Sequence, residues 1–298
     1  MSEIRLFRLN DKIKKWKKKC VRHAVDLCIL AVALFMCFPI LLVLSGVPKS
    51  TGELGKCLAP ILGTGGGELH WNLLPLYPTG KHLLDLLFFK PQFHVVFWNS
   101  MKITAFILLG QFILATPMAW GFARFTFPGK KVFFTLYVML MLMPFQVMLL
   151  PSYLILNQIN ILDTHWAVIL PAMCSTLPVF LMYQGFASIP KECIEAAEID
   201  GANNWQVFGY LGLPLGSGGI LSAMVLGYLE YWNMLEQPMT FLKTPSKYPL
   251  SLFLPQIGME QAGMVLAASF LMLVPAMFVF FAGQDYLEQG IAVSGLKG

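Results

Sequence analysis

The chain has 298 residues, of which 57% are hydrophobic and 12% are charged, whereas ordinary soluble domains carry about 25% charged residues. Its mean hydropathy is +0.66. This apolar content excludes a disordered chain, and six cysteines in 298 residues are too sparse for a disulfide-stapled secreted domain. The class that fits is a polytopic membrane protein.

Six apolar stretches with few or no charges are each near the ~20 residues that a helix needs to cross ~30 Å of hydrocarbon. They lie at residues 24–47, 103–123, 132–154, 164–187, 218–238 and 262–283. We expect the break between the third and fourth stretches at Pro151, Asn157, Asn160 and Asp163. The sequence therefore predicts an all-α polytopic membrane protein with six transmembrane helices.

The Lys and Arg residues predict the orientation, because positive charge stays on the cytoplasmic side. Nine of the 21 Lys and Arg residues precede Ala24. Residues 1–23 are therefore expected to be a basic cytoplasmic segment, 24–283 the six-helix domain and 284–298 a cytoplasmic tail. The segments inside then hold 14 Lys and Arg residues and the remainder 7.

The sequence has few residues at the spacings typical of metal, nucleotide or catalytic sites. The five histidines are scattered and there is no C-x-x-C pair, so no metal site is expected. No stretch has the Gly-Lys-Ser/Thr ending of a nucleotide-binding loop. We therefore expect no catalytic residue, no cofactor bound by this chain and no nucleic-acid partner.

Two segments outside the predicted spans are long, an external loop at about residues 48–97 and a cytoplasmic loop at 188–214. The second is predicted to be a helical hairpin. Pro190 suits a first helical turn, Gly201 suits a left-handed C-terminal cap, and Asn203 or Asn204 suits the N-cap of a second helix. Its acidic and apolar residues fit either a docking surface for a partner or packing on its own spans.

The same loop carries a motif, Glu195-Ala196-Ala197 followed by Gly201 and then by Leu211 and Leu213-Pro214. This pattern resembles the EAA loop of ABC importer permeases. Further matches lie along the chain, at Asn99-Ser100, Pro144, Pro151-Ser152-Tyr153, Ile189-Pro190, Ile199-Asp200-Gly201-Ala202, Trp232-Asn233, Gly290 and Gly295-Leu296-Lys297-Gly298. Together they resemble the carbohydrate-importer permeases of the maltose-transporter type, in particular the shorter, six-span subunit.

The resemblance implies the type I permease fold of ABC importers in a bacterial plasma membrane, with both termini cytoplasmic. It implies no enzyme activity for this chain. The partners that it implies are a second permease subunit, two ATPase subunits that bind ATP and Mg, and an extracytoplasmic solute-binding protein. It assigns coupling to the ATPase to a set of residues in the hairpin: Glu195, Ala196, Ala197, Asp200, Gly201, Leu211, Leu213 and Pro214.

Polar residues inside a predicted span are candidates for the substrate pathway, because polarity in lipid is costly. The fifth span has an acid among aromatic and amide residues: Tyr228, Glu230, Tyr231, Trp232 and Asn233. Aromatic faces pack on sugar rings, while carboxylates and amides bind hydroxyls. The alternative for this group is an aromatic belt at the membrane interface.

Two other classes of function are less well matched. An ion-coupled secondary transporter without ATPase partners would need ionisable groups at mid-membrane, where Glu230 stands alone. A membrane-embedded enzyme would need clustered His, Asp or Glu facing the interior. Co-purification of an ATPase would separate these classes from the importer.

The predicted orientation can be tested with thiol chemistry, because it places Cys57 outside and Cys193 inside. In intact cells a membrane-impermeant maleimide should label Cys57, provided that its thiol is accessible, and should spare Cys193 until the cells are lysed. Labelling of Cys193 in intact cells would contradict the orientation.

Overall fold

The computed structural model describes residues 2–62, 71–254 and 261–295. Throughout these residues the regular structure is helical, with no strand. The chain divides into two compact units, Met1–Leu83 and Leu84–Gly298. The all-α fold predicted from the sequence is confirmed.

The first unit contains helix α1, Ser2–Gly46, and helix α2, Thr51–Leu62. The part of α1 from Val21 to Gly46 is apolar and exposed within the chain, as expected of a helix that faces lipid or a partner. Hydrogen bonds connect the segment after α2 to the end of α1 and to α2. The Trp71 indole donates to Ser45 Oγ at 3.0 Å, and Leu76 N donates to the Glu53 carboxylate at 3.2 Å.

Cys57 belongs to this unit and is only 7% exposed. Cys193 is exposed. Labelling of Cys57 from outside is therefore expected to be weak, and the orientation test depends on whether Cys193 reacts before lysis.

The helices that follow α2 belong to the second unit, except that the first of them, α3, begins at Lys81, before the division after Leu83. They are α3 Lys81–Phe89, α4 Pro91–Arg124, α5 Lys130–Met141, α6 Phe145–Gln158, α7 His165–Met173, α8 Thr176–Ala187, α9 Lys191–Ile199, α10 Asn204–Gln206, a π-helix Val207–Gly212, α11 Leu213–Leu215, α12 Ser217–Trp232, α13 Glu236–Phe241, a 3₁₀-helix Pro245–Lys247, α14 Leu250–Phe253 and α15 Ala262–Gly295.

Four helical segments in the described residues are long and apolar enough to cross a membrane: Val21–Gly46, Pro91–Arg124, His165–Ala187 and Ala262–Glu288. Two bent pairs also qualify if each pair counts as one span. They are α5 with α6, bent by 100°, and Asn204–Leu215 with α12, bent by 67°. The count of six spans thus depends on the bent pairs and stays a prediction.

The third predicted span, 132–154, is not one straight helix. It is divided between α5 and α6 at Pro144, which has the extended ψ of 134°. A proline disfavours helical geometry in the residue before it, so the chain turns here. Pro151, predicted to help break the helix, instead lies inside α6. The helix ends at Gln158, after which Asn160 and Asp163 take positive φ angles of 55° and 56°.

The fourth and fifth spans also depart from ideal helices. The fourth is interrupted between α7 and α8, where Ser175 is extended with ψ of 144°. Pro178 explains this break because it has no amide to bond the Cys174 carbonyl, and its ring would clash with that carbonyl. In the fifth predicted span, 218–238, helix α12 ends at Trp232 and not at residue 238.

Helices α4, α8 and α12 pack on one another, with α7 against α4 and α15 against α12. The closest approach joins Gly185 of α8 to Gly219 of α12. A Cβ added at Gly219 would lie 2.9 Å from both Gly185 Cα and Leu181 O. Small residues let helix backbones approach closely in membranes, and these backbone atoms have no side-chain freedom with which to move away.

We expect Gly219→Ala to destabilise the protein by about 1–3 kcal/mol, because the methyl group forces α8 and α12 apart. Gly121→Ala is the matched control, since a Cβ at helical Gly121 meets nothing within 4 Å. Thermal unfolding of the purified protein in detergent would compare the two variants. Equal unfolding temperatures would contradict the close packing of α8 on α12.

Candidate functional site

The segment with the EAA-like motif forms a capped helix and a tight turn. Helix α9 ends at Ile199, and Gly201 has a φ of 85°. Gly201 N donates to Glu198 O and Ala202 N to Ala197 O, each at 3.0 Å. These two hydrogen bonds form a Schellman cap, which needs a left-handed residue and so favours glycine.

The next helical stretch begins with a reciprocal cap. Gln206 N donates to Asn203 Oδ1 at 2.9 Å, and Asn203 N donates to Gln206 Oε1 at 2.8 Å. Of the two asparagines considered from the sequence, Asn203 is therefore the N-cap. The helix then widens into the π-helix Val207–Gly212, a conformation that is frequent at functional sites.

The residues assigned to coupling from the sequence separate into two groups. Ala197, Leu211 and Leu213 are half-buried and pack on a core formed by α4, α8 and α12. The remainder are exposed: Glu195, Ala196, Asp200, Gly201 and Pro214. The hairpin thus has one face that anchors it to the spans and another that is open.

The open face carries large apolar side chains that the motif does not include. Ile199 is 86% exposed, Trp205 77% and Tyr210 79%. In the chain, Ile199 lies between the exposed carboxylates of Glu198 and Asp200. Grouped, exposed apolar side chains rimmed by charge mark interaction surfaces. Val207 and Phe208 pack on the core, and exposed Trp205 contacts Phe208 edge-on, with ring centroids 6.2 Å apart.

The pathway candidates of α12 lie on different faces of that helix. Glu230 and Asn233 are exposed, whereas Tyr231 is buried and Trp232 is only 1% exposed. Trp232 Nε1 donates to Met272 O at 3.0 Å. Half-buried Tyr228 stacks on Trp232 with ring centroids 5.6 Å apart.

Gln111 of α4 forms buried hydrogen bonds to two other helices. Its Nε2 donates to Ala172 O at 2.8 Å and to the Tyr231 hydroxyl at 2.9 Å, and its side chain is fully buried. Ala172 lies near the end of α7, and its carbonyl also accepts a hydrogen bond from Ser175 N. One amide side chain of α4 therefore ties the break in the fourth span to α12.

At the opposite end of the unit, Asp163 joins two loops. Its carboxylate accepts hydrogen bonds from Lys243 N and Thr244 N, each at 2.9 Å, and from Thr244 Oγ1 at 2.5 Å. Lys247 Nζ lies 3.0 Å away. These hydrogen bonds hold the pKa of Asp163 well below its usual range, and the bond from the Thr244 hydroxyl contributes most. Sequence reasoning treated Asp163 only as a break.

These features define a multi-pass helical membrane protein with an anchored, partly open hairpin. A family model described as the binding-protein-dependent transport system inner membrane component matches residues 111–293. The chain belongs to this family. The match includes the hairpin and the helices that pack on it.

Relatives cover most of the chain. The arabinooligosaccharides transport system permease protein AraQ of Bacillus subtilis is 24% identical over 280 residues, covering 93% of this chain and 96% of the relative. The osmoprotective compounds uptake permease protein GgtD of Synechocystis is 28% identical over 297 residues, covering 97% and 95%.

A solved structure has the same fold. It is the crystal structure of a bacterial ABC transporter involved in the import of the acidic polysaccharide alginate. The TM-score is 0.75 at 22% identity, over 89% of this chain and 96% of that chain.

Proposed function

We propose that this chain is a permease subunit of an ATP-driven importer of sugars or oligosaccharides, and that its hairpin couples it to an ATPase. The observation that carries the proposal is that the hairpin exposes three large apolar side chains, Ile199, Trp205 and Tyr210, of which Ile199 lies between the carboxylates of Glu198 and Asp200. Such a surface is costly to leave in water and fits a protein partner. The opposite face is anchored to α4, α8 and α12, so force on the hairpin reaches the spans.

The rest of the machine follows from the same proposal. A second permease subunit completes the pathway as a heterodimer, an extracytoplasmic solute-binding protein delivers the substrate, and two ATPase subunits bind ATP and Mg. This chain binds no cofactor and hydrolyses nothing itself. The basic residues before Ala24 support cytoplasmic termini.

The sugar class is supported by the names of relatives, which include transport permeases for arabinooligosaccharides and galactooligosaccharides. Glu230 and Asn233 are the pathway residues that this chain offers, because they are exposed on α12. Tyr231 and Trp232 hold that helix in place from the buried side. Tyr228 is half-buried between the two groups.

The coupling role predicts that Gly201→Asp inserts in the membrane and pairs with the second permease but loses transport. The φ of 85° disfavours a side chain by roughly 1–2 kcal/mol, and a new carboxylate stands next to Asp200. Uptake of sugar and ATPase pull-down would be measured in the same membranes. Gly201→Asn is the control, since it has nearly the same shape and tolerates a left-handed backbone without the charge.

We expect Gly201→Asn to keep more transport than Gly201→Asp. A Cβ at this position meets nothing within 4 Å, so steric overlap within the chain does not explain a loss. Full transport by Gly201→Asp would show that the hairpin only packs. Failure of wild-type membranes to retain any ATPase would instead favour an ion-coupled transporter.

The pathway role predicts that Glu230→Gln alters uptake while the complex still assembles. A hydrogen bond to a charged group is worth about 1.5–3 kcal/mol, so the KM for the cognate sugar should rise about tenfold or more. Glu288→Gln is the control, because it removes one exposed carboxylate from another helix. An unchanged KM and sugar preference in Glu230→Gln would remove Glu230 from the pathway.

A further inference from the structure

The end of α4 that meets the hairpin carries two side chains one helical turn apart, Trp120 and Arg124. Trp120 is buried and packs edge-on against Phe186 of α8, with ring centroids 5.3 Å apart. Phe208 of the π-helix lies 5.6 Å from the same ring. A Cβ at Gly212 would come within 2.8 Å of it. One indole of α4 thus touches both the span that enters the hairpin and the helix that leaves it.

Arg124 fixes the point at which α8 becomes the hairpin. Its Nη2 donates to Phe186 O at 2.6 Å and to Ile189 O at 2.9 Å. These carbonyls lie at and just beyond the end of α8, where helix amides no longer satisfy them all. The guanidinium also lies over the Trp120 ring, 5.5 Å from its centroid. The link from Ala187 to Pro190 is therefore bonded to α4.

Helix α9 itself does not close on Arg124. A cavity of about 380 Å³ separates them, and its lining includes Arg124, Lys191, Glu195 and Glu198. The body of α9 consequently has space beside it, while its root is held by two hydrogen bonds. Helix α9 thus has room to tilt about its root on the cavity side, while Ala197 packs on the core.

We infer that Arg124 is the positioning residue of the coupling hairpin, holding the root of α9 on α4 so that displacement of the hairpin moves α4. This inference deepens the proposed function and rests on it. Arg124 touches neither the exposed face of the hairpin nor Glu230, so it acts through the hairpin. A planar guanidinium that donates to two carbonyls and stacks on an indole fixes direction as well as distance, which a flexible ammonium does less well.

The test compares Arg124→Ala and Arg124→Lys with Lys130→Ala in the complete complex reconstituted with its binding protein. Lys130 is the matched control because it donates to Phe125 O in the neighbouring link and is exposed, so its loss removes the same charge. The readouts are ATPase retained in a pull-down, ATP hydrolysis and sugar transported per ATP.

We expect Arg124→Ala to retain the ATPase within about twofold but to transport about tenfold less sugar per ATP, since two charge-assisted hydrogen bonds are lost. Arg124→Lys should recover part of the ratio, because an ammonium can still reach a carbonyl. Lys130→Ala should match the wild type. If Arg124 only aided folding, its loss would lower assembly and transport together, and the sugar transported per ATP would stay unchanged.

A second measurement needs no ATPase. Spin labels at natural Cys193 on α9 and at an introduced Thr126→Cys, with the other cysteines replaced, report the distance between the hairpin and the end of α4. Arg124→Ala should broaden that distance distribution, and Lys130→Ala should not.

Wild-type coupling and distances in Arg124→Ala would overturn the inference and leave the proposed function standing. Loss of the ATPase from both Arg124 variants would also overturn it, in favour of a role in folding. If the wild-type complex retained no ATPase, the proposed function would fall, and the coupling role of Arg124 with it.

Discussion

A backbone carbonyl in hydrocarbon must find its donor inside the protein, because an unsatisfied group there costs several kcal/mol. In the second unit, α4 supplies side-chain donors at two such places. Gln111 supplies a donor to Ala172 O where α7 ends. Arg124 supplies donors to the carbonyls beyond α8.

These donors connect parts of the chain that are far apart in sequence, and α4 provides most of them. At its other end Asn99 Nδ2 donates to Ser246 O at 2.8 Å, and Ser100 Oγ accepts from Leu250 N at 2.7 Å. One continuous helix of 34 residues thereby bonds to the loop after α13, to the break in the fourth span and to the root of the hairpin. The continuous helix α4 therefore holds the interrupted helices in place through hydrogen bonds.

Hydrophobicity and turn chemistry predicted much of this fold from the sequence. The six apolar stretches correspond to helices or helix pairs, and Gly201 and Asn203 cap the hairpin as their chemistry requires. Proline was harder to interpret, because its effect depends on neighbours that supply or withhold donors. Pro144 and Pro178 coincide with breaks, whereas Pro151 and Pro117 lie inside helices.

The division of the EAA-like motif between two faces was not predictable from spacing. Glu195, Ala196 and Ala197 are consecutive, so three neighbouring side chains of one helix point about 100° apart. Only contact with a specific core shows that Ala197 faces it. Likewise, neither Gln111 nor Arg124 belongs to a recognisable motif. Their roles depend on distant carbonyls. Gln111 donates to a carbonyl 61 residues further along the chain, and Arg124 donates to carbonyls 62 and 65 residues further along.

The two faces of the hairpin impose opposite demands on its sequence. The inward face must be small and apolar, because Ala197 and Ala202 lie against the core that holds Trp120. If the outward face docks on a partner, as proposed, it must remain soluble before docking, which fits the position of Ile199 between Glu198 and Asp200. A hairpin that only packed on its own spans would satisfy the first demand and would have no reason to expose Trp205 and Tyr210. The joint occurrence of both demands in one short segment is what the proposed coupling role requires.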